Sequence, residues 1–381
     1  MSRERKTYGR WWTGLVLLAM VGAVIGFAAQ SFLAMHIDPP IYPGAGVTRV
    51  GLLSDYFSEL AGTPADTDVY YLEGEDPGAT TLVLGGTHPN EPASSLTAIT
   101  LIENATVDSG TLIVIARANR SGFTCTEPQE GYPQTYKIDT PSGPREFRYG
   151  SRGTNPIDQW PDPVIYINAA GQALAGAEVR NLNRSYPGTP DGNLTERLAY
   201  AIEELIRQES VDVSIDLHEA SPEYPVINAI VAHEDALSIA AEAALFLEFD
   251  GVQIGVERSP TNLRGLSHRE WGDTTDTLAF LVESANAAQG RLRGATSADL
   301  IVEGKDSYYV RAAERGLLYV PFGDDGHSID ERVGRHLQTI LSLLDVYNAY
   351  ATDTIELCDV PTLADVMATG LGVYLDPPAS S

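Results

Sequence analysis

The sequence predicts an α/β fold: a mixed, largely parallel β-sheet flanked by helices, preceded by one N-terminal transmembrane helix. Three observations predict it. A strand-like, a helix-like and a second strand-like run follow one another from Thr80 to Ala116, the signature of a sheet with parallel members. Apolar runs end at Gly85-Gly86, at His218 and at Glu283, and open α/β sheets assemble their sites at such strand ends. Trp11 to Met35, finally, contains no charged residue.

That last run would make a helix roughly 37 Å long at about 1.5 Å per residue, enough to cross a bilayer. Arg3, Arg5, Lys6 and Arg10 precede it, so residues 1–10 are expected in the cytoplasm. Residues 11–35 then form a signal anchor in the cell membrane, and everything after His36 lies outside. A cleaved signal peptide is the rival, since Ala28 and Ala29 could serve a peptidase and release a secreted chain. The run outlasts the usual length of such a peptide's apolar region, which favours the anchor.

Residues 36–46, rich in proline and glycine, read as a linker. Val50 to Leu60 is expected to be a short helix. Asp68 to Leu72, Thr80 to Leu84 and Thr111 to Ala116 are β-prone, with Ala93 to Ile102 helix-like between the last two. Gly122 to Ala177, crowded with Pro, Gly, Tyr and Thr, reads as a long loop region with little regular structure.

Regularity returns with Leu194 to Glu209, apolar at Leu198, Ile202, Leu205 and Ile206, an amphipathic helix. Val211 to Leu217 follows as a buried strand, Ala236 to Phe246 as a helix, Thr277 to Val282 as a strand and Asp330 to Tyr350 as a long helix. Residues 47–350 are read as one domain, because its motifs are spread from His88 to Glu283. Residues 351–381 are read as a C-terminal tail, and no internal repeat is visible.

The net charge of −27 makes nucleic acid or an anionic surface a poor partner, because the chain and the phosphates would repel each other. Lysine occurs only at Lys6, Lys137 and Lys305. An acidic, lysine-poor surface suits a high-salt interior, and a GC-rich genome would favour arginine in the same way. Cys125 and Cys358 permit one disulfide in an exported chain and equally permit two unpaired small residues. Asn104-Ala105-Thr106 and Asn193-Leu194-Thr195 are glycosylation sequons.

Four dispersed motifs carry the chemistry: Gly85-Gly86-Thr87-His88-Pro89-Asn90-Glu91, Asn181-Leu182-Asn183-Arg184, Asp216-Leu217-His218 and Phe280-Leu281-Val282-Glu283. A hydrolytic zinc ion takes three protein ligands and keeps one position for water. His88, Glu91 and His218 are the candidates, brought together by two strand ends. Alone, a His-x-x-Glu or a strand-end histidine is commonly structural, and the signal lies in the set. Asn183 and Arg184 suit a substrate's carboxylate, since arginine presents a planar fork and asparagine adds a donor; a solvated arginine is the bland alternative. Glu283 is a carboxylate where the pattern asks for burial, the condition that raises a pKa toward that of a general base; a salt-bridged structural glutamate is its alternative.

The ordered pattern resembles the M14 zinc metallocarboxypeptidase superfamily, and within it the succinylglutamate desuccinylase/aspartoacylase-like branch. The resemblance rests on Gly86-Thr87-His88-Pro89-Asn90-Glu91, Asn181 to Gly188 and Asp216-Leu217-His218, and covers roughly Thr80 to Tyr350. It implies a zinc carboxypeptidase-like fold with one Zn2+ on His88, Glu91 and His218, and Glu283 as the base that activates water. It implies further that Asn183 and Arg184 hold a carboxylate, and that an arginine polarises the scissile carbonyl. Arg180 is assigned that last role, with Arg152 its competitor. The chain departs from the pattern at Pro89, where glycine is frequent, and at Asn181, where aspartate is frequent. It has no room after residue 350 for the C-terminal β-domain of many desuccinylase-like enzymes.

The reading is therefore a membrane-anchored, exported zinc amidohydrolase, carboxypeptidase-like, acting on a peptide or N-acyl amino acid with a free carboxylate. An N-acyl amino acid deacylase is the alternative of the same chemistry, and a non-catalytic, membrane-anchored ligand-binding protein the alternative of another class. A binder would need no general base. A Ser267-His268 hydrolase lacks a Gly-x-Ser-x-Gly elbow; His268 is expected to line the pocket or cap a helix.

Overall fold

The computed structural model describes residues 5–126 and 133–378. Residues 1–4 of the expected cytoplasmic segment, 127–132 of the long loop region and 379–381 of the tail lie outside the described residues. Two units separate at Asp38. The first holds one helix, α1 (Arg5–Ala34), whose stretch Trp11–Ala34 is 24 residues long and apolar enough to cross a membrane by length and composition.

The second unit, Pro39–Ser381, is built on one mixed sheet. Its strands in chain order begin with β1 (Arg49–Leu52), β2 (Asp68–Glu73), β3 (Asp76–Leu84) and, after helix α2 (Pro92–Asn104), β4 (Thr106–Ile115). Two small hairpins follow, β5 (Thr135–Thr140) with β6 (Gly143–Arg148), and β7 (Ile165–Ile167) with β8 (Ala173–Ala175). Then come α3 (Leu194–Gln208), β9 (Val213–Ala220), β10 (Ala229–Ala232), α4 (Leu237–Phe249), β11 (Gly255–Arg258), α5 (Ser267–Thr274) and β12 (Leu278–Ala285). The chain continues through α6 (Ala298–Glu303), α7 (Ser307–Ala313), α8 (Ile329–Tyr350), β13 (Glu356–Cys358) and α9 (Leu363–Thr369).

The order across the sheet is β1-β2-β4-β3-β9-β12-β10-β11, with β13 also on β4. Its centre, β4-β3-β9-β12, is parallel throughout, so the carboxyl ends of four strands lie side by side. The flanks are mixed: β1, β2 and β13 join antiparallel, and β10 runs against β12 while pairing parallel with β11.

Because side chains alternate across a strand, each central strand feeds two cores. Val213, Ile215 and Leu217 of β9 pack with α2, α4 and α8 on one face. Leu82, Leu84, Ile113 and Ile115 pack with Leu198, Ile202 and Leu205 of α3 and Trp271 of α5 on the other. The opposite parity of β9 puts Asp216 and His218 on the α3–α5 face, and the register pairs His218 with Glu283 of β12.

Three expectations change. Val50 to Leu60 is not one helix: Arg49–Leu52 pairs with β2, and only short 3-10 turns follow at Leu53–Asp55 and Ser58–Leu60. Leu53 and Leu60 are buried as a helix face would bury them, but ladder bonds to Tyr70 and Tyr71 take the backbone first. The loop region from Gly122 to Ala177 carries the two hairpins, whose strands are too short to give a periodic signal. Part of the expected linker lies on the body, where Tyr42 N–H donates to Glu103 (2.8 Å) and Gly44 N–H to the Ile102 carbonyl (2.9 Å).

The residues after Ala351 are folded in as well. β13 pairs with the amino-terminal half of β4, below the reach of β2, and α9 packs on α8. No disulfide joins Cys125 to Cys358; Cys358 Sγ lies 3.5 Å from an Asp108 carboxylate oxygen and Cys125 Sγ 3.9 Å from the Gly122 carbonyl.

Candidate metal centre

β3 hands the chain to α2 through Gly85-Gly86. Gly86 has φ of +73°, and a Cβ on it would come within 2.8 Å of the Ala116 carbonyl and 2.9 Å of the Phe123 ring. Only glycine makes this turn, and the turn brings His88 and Glu91 back over the strand ends. Glu91 occupies the N-cap of α2, with Pro92 at the first helical position, where proline's missing N–H costs nothing.

His88, Glu91 and His218 are all buried, and each offers a ligand atom within 4.8 Å of the others. Nδ1 of His88 lies 2.8 Å from one Glu91 carboxylate oxygen, and Nδ1 of His218 lies 2.9 Å from the other. The far ring nitrogens are held by acceptors: His88 Nε2–H donates to Asn181 Oδ1 (2.9 Å) and His218 Nε2–H to Asp216 Oδ2 (3.0 Å). Asn181 is oriented by the Asn183 N–H on its oxygen and the Glu178 carboxylate at its nitrogen. Asp216 is held by the hydroxyls of Thr87 (2.8 Å) and Ser267 (2.5 Å). With Nε2 protonated, Nδ1 of the neutral His88 turns its lone pair on a carboxylate oxygen, an acceptor against an acceptor that a cation reconciles, and at His218 a proton on Nδ1 takes the place such a cation would fill. The donor set fits zinc.

The electrostatics point the same way. Burial, then the Arg152 guanidinium, pushes His88 down to about 4, so it is neutral. Burial works against a charged His218, but Asp216 and Glu91 overcome it and hold its pKa well above the usual imidazole value. Burial likewise opposes the Glu91 carboxylate, and the two histidines outweigh it, so Glu91 stays ionised far below its ordinary range. The group demands positive charge at its centre.

Glu283 sits across the ladder from His218. Its Oε2 is shut off from solvent and has no hydrogen-bond partner among the described residues. Burial, aided by Glu91 and Asp216 and opposed by His218 and Arg152, raises it to about 8. A cation at the histidines would draw that value back down.

The arginines divide sharply. Arg180 is tied to Asp162 by two bonds (2.8 and 3.1 Å) and to the Thr154 carbonyl (3.0 Å). Arg152, 40% exposed, reaches the Glu91 carboxylate at 3.0 Å. Arg184 is half-buried, and among the described residues no carboxylate pairs with it; its guanidinium donates to the carbonyl of Asn183 (2.6 Å). Burial, then the charge of Arg152, lowers its pKa. Asn183 is buried, with its amide nitrogen 3.4 Å from His218 Nε2 and its oxygen accepting from the Ser267 N–H.

The chain is similar to several solved structures. One is a succinylglutamate desuccinylase from Silicibacter sp. TM1040, with 17% identity over 57% of this chain and 53% of that one and a TM-score of 0.37. A second is the cell shape determinant protein Csd4 from Helicobacter pylori, a D,L-carboxypeptidase, with 12% identity over 79% and 58% and a TM-score of 0.45. A third is a metallo-carboxypeptidase from Burkholderia cenocepacia, with 11% identity over 84% and 68% and a TM-score of 0.46. The chain spans little more than half the length of the first two. No family model and no curated protein matches it. At such identities and scores the chemistry rests on this chain's own residues.

The sequence reading left a lower layer unseen. Glu219, next to His218, donates its N–H to Glu91 (3.0 Å) while its carboxylate binds Arg332 of α8 (2.6 Å) and the Ala93 N–H at the start of α2 (2.8 Å). His336, one helical turn after Arg332, lies 3.0 Å from the His218 carbonyl. Burial pushes it down to about 3, so it is neutral and donates. A signal for both was present: Arg332 and His336 fall on the inward stripe of α8 with Ile329, Val333 and Ile340, where polar residues need buried partners. Ser267 serves Asp216 and Asn183, and His268 bonds Ser259 Oγ (2.8 Å), so Ser267 and His268 do not pair with each other.

Proposed function

We propose that this chain is a zinc-dependent amide hydrolase of carboxypeptidase type, held in a membrane by α1 with its body outside the cytoplasm, acting beside a free substrate carboxylate. The observation that carries the reading is the convergence of two imidazole Nδ1 atoms on the Glu91 carboxylate, with the unpartnered Glu283 carboxylate in register beside them. His88, Glu91 and His218 would hold the metal, which when bound supplies a Lewis acid and lowers the pKa of water. Glu283 accepts the proton of the attacking water and passes it to the departing nitrogen. Arg152, not Arg180, faces the oxygen on which charge develops, because Arg180 is spent on Asp162. Arg184 and Asn183 take the substrate's carboxylate, a role that the lack of an acidic partner on Arg184 supports.

The test is zinc content by elemental analysis of the native protein beside His88→Ala and Glu283→Gln, followed by hydrolysis of peptides and N-acyl amino acids. Near-stoichiometric zinc that is lost in His88→Ala and kept in an inactive Glu283→Gln supports the reading, and the panel then separates peptidase from deacylase. Absence of metal under every loading condition overturns it in favour of a binding protein.

A further inference from the structure

The segment 156–177 is unlike the rest of this acidic chain. Every fully exposed residue in it is Pro, Ile, Trp, Val, Ala or Gly, while Asp158, Gln159, Asp162 and Gln172 are half-buried. Trp160 is 73% exposed and Val164 94%, with Ile157, Ile165 and Ile167 beside them. The polar residues of the same segment turn inward. Asp158 accepts from Ser121 Oγ (2.6 Å) and Asp162 pairs with Arg180. Gln159 bonds Val179 and Thr195, and Gln172 accepts from the Arg264 N–H. The β7–β8 hairpin buries Tyr166 and directs Ile165, Ile167, Ala173 and Ala175 outward.

Scattered apolar residues on a surface mean little, but a continuous apolar face without a charge marks an interaction site. The occupant follows from the chain itself. α1 is long enough to span a bilayer and only residues 35–38 separate it from the body. The body's first residue, Pro39, accepts from Arg117, at the same carboxyl end of β4 as the turn Arg120–Thr124. That turn holds the apolar segment through Ser121 to Asp158 and Thr124 to Asn155. With a net charge of −27 the body gains nothing from charge attraction to lipid, so contact must come from apolar side chains entering the interface, where tryptophan sits well.

We infer that residues 156–177 form a lipid-contacting face that rests the body on the membrane. This stands on the reading of α1 as an anchor, which alkaline extraction of membranes checks separately. The test uses the full chain reconstituted in phosphatidylcholine vesicles, with and without brominated acyl chains. It carries an environment-sensitive fluorophore on Val164→Cys in a Cys125→Ser, Cys358→Ser background, and Asp353→Cys is the control on an exposed site at the opposite end of the sheet. The expected result is a blue-shifted emission at position 164 that brominated lipid quenches, and neither effect at 353. The difference in emission between the native chain and Trp160→Phe gives the same readout without a label.

Retention of the chain in the membrane with an unquenched, solvent-like signal at 164 overturns the proposal and leaves the anchor standing. So does a signal that changes only when two copies cross-link through 164, which would make the face a contact between copies, or only when an apolar substrate is added, which would make it a wall of the active site. None of these outcomes touches the zinc test.

Discussion

At the scale of single residues, Arg152, which reaches Glu91, and Arg180, which is tied to Asp162, separate a part in the proposed reaction from support of the loop around the candidate centre. Arg152→Ala should lower kcat/KM by roughly 100- to 1000-fold, the usual cost of an oxyanion donor, with the fold intact. Arg180→Ala should chiefly loosen the Asp162 loop and lower thermal stability; steady-state kinetics beside thermal melts distinguish the two, and equal kinetic losses would refute the division. Glu203 of α3 offers a pH test away from the metal. It is fully buried, its Oε2 has no hydrogen-bond partner among the described residues, and burial raises its pKa to about 7 despite bonds from Thr274 and Arg207. A raised carboxyl pKa stabilises the fold in acid and withdraws that support as pH climbs from about 4.5 to about 7. Glu203→Gln should therefore gain stability over the native chain across that window, on the order of 3 kcal/mol, and level off above it. Denaturation midpoints between pH 4.5 and 8 give the answer.

Among the elements, the buried pair Glu219–Arg332 binds β9, α2 and α8 beneath Glu91. Arg332→Met strands the Glu219 carboxylate and should cost roughly 3–5 kcal/mol, while adding Glu219→Gln should restore much of it; urea denaturation of both variants is the check. The central strands were legible in the sequence because both their faces are covered, and the helices α2, α3, α4 and α8 because each carries a sustained apolar side toward the sheet. β1 and β13 were not, since three or four residues on a sheet flank hold no period, and what places them is a partner strand far away in sequence. The metal-ligand candidates were legible for a different reason: their spacing reflects a chemical need that few other arrangements share. The Glu219, Arg332 and His336 layer was missed because ion pairs across 113 residues leave only isolated polar marks on apolar stripes.

For the whole molecule, the excess of negative charge governs how stability answers to salt. With −27 charges on 381 residues, repulsion acts against the compact state and added ions relieve it. Shortening the screening length from about 10 Å at 0.1 M to about 3 Å at 1 M should raise the melting temperature, and a melting temperature independent of potassium chloride would show the repulsion to be balanced locally. The buried pairs at the centre are shielded from this effect, so salt should move stability more than metal affinity. Domain extent follows from the same view: the residues after 350 return to β4 and α8, and the sheet uses them.

The contribution of α8 to the centre has a bearing on how such a chain is made. Ligands at 88 and 91 are synthesised early, yet the groups that brace them, Arg332 and His336, arrive some 240 residues later. Until those residues have left the ribosome, and for an exported body have crossed the membrane, Glu219 lacks its counter-charge and His218 its carbonyl partner. The candidate centre is thus completed only by the last long helix of the chain, and its support cannot form before that helix is made.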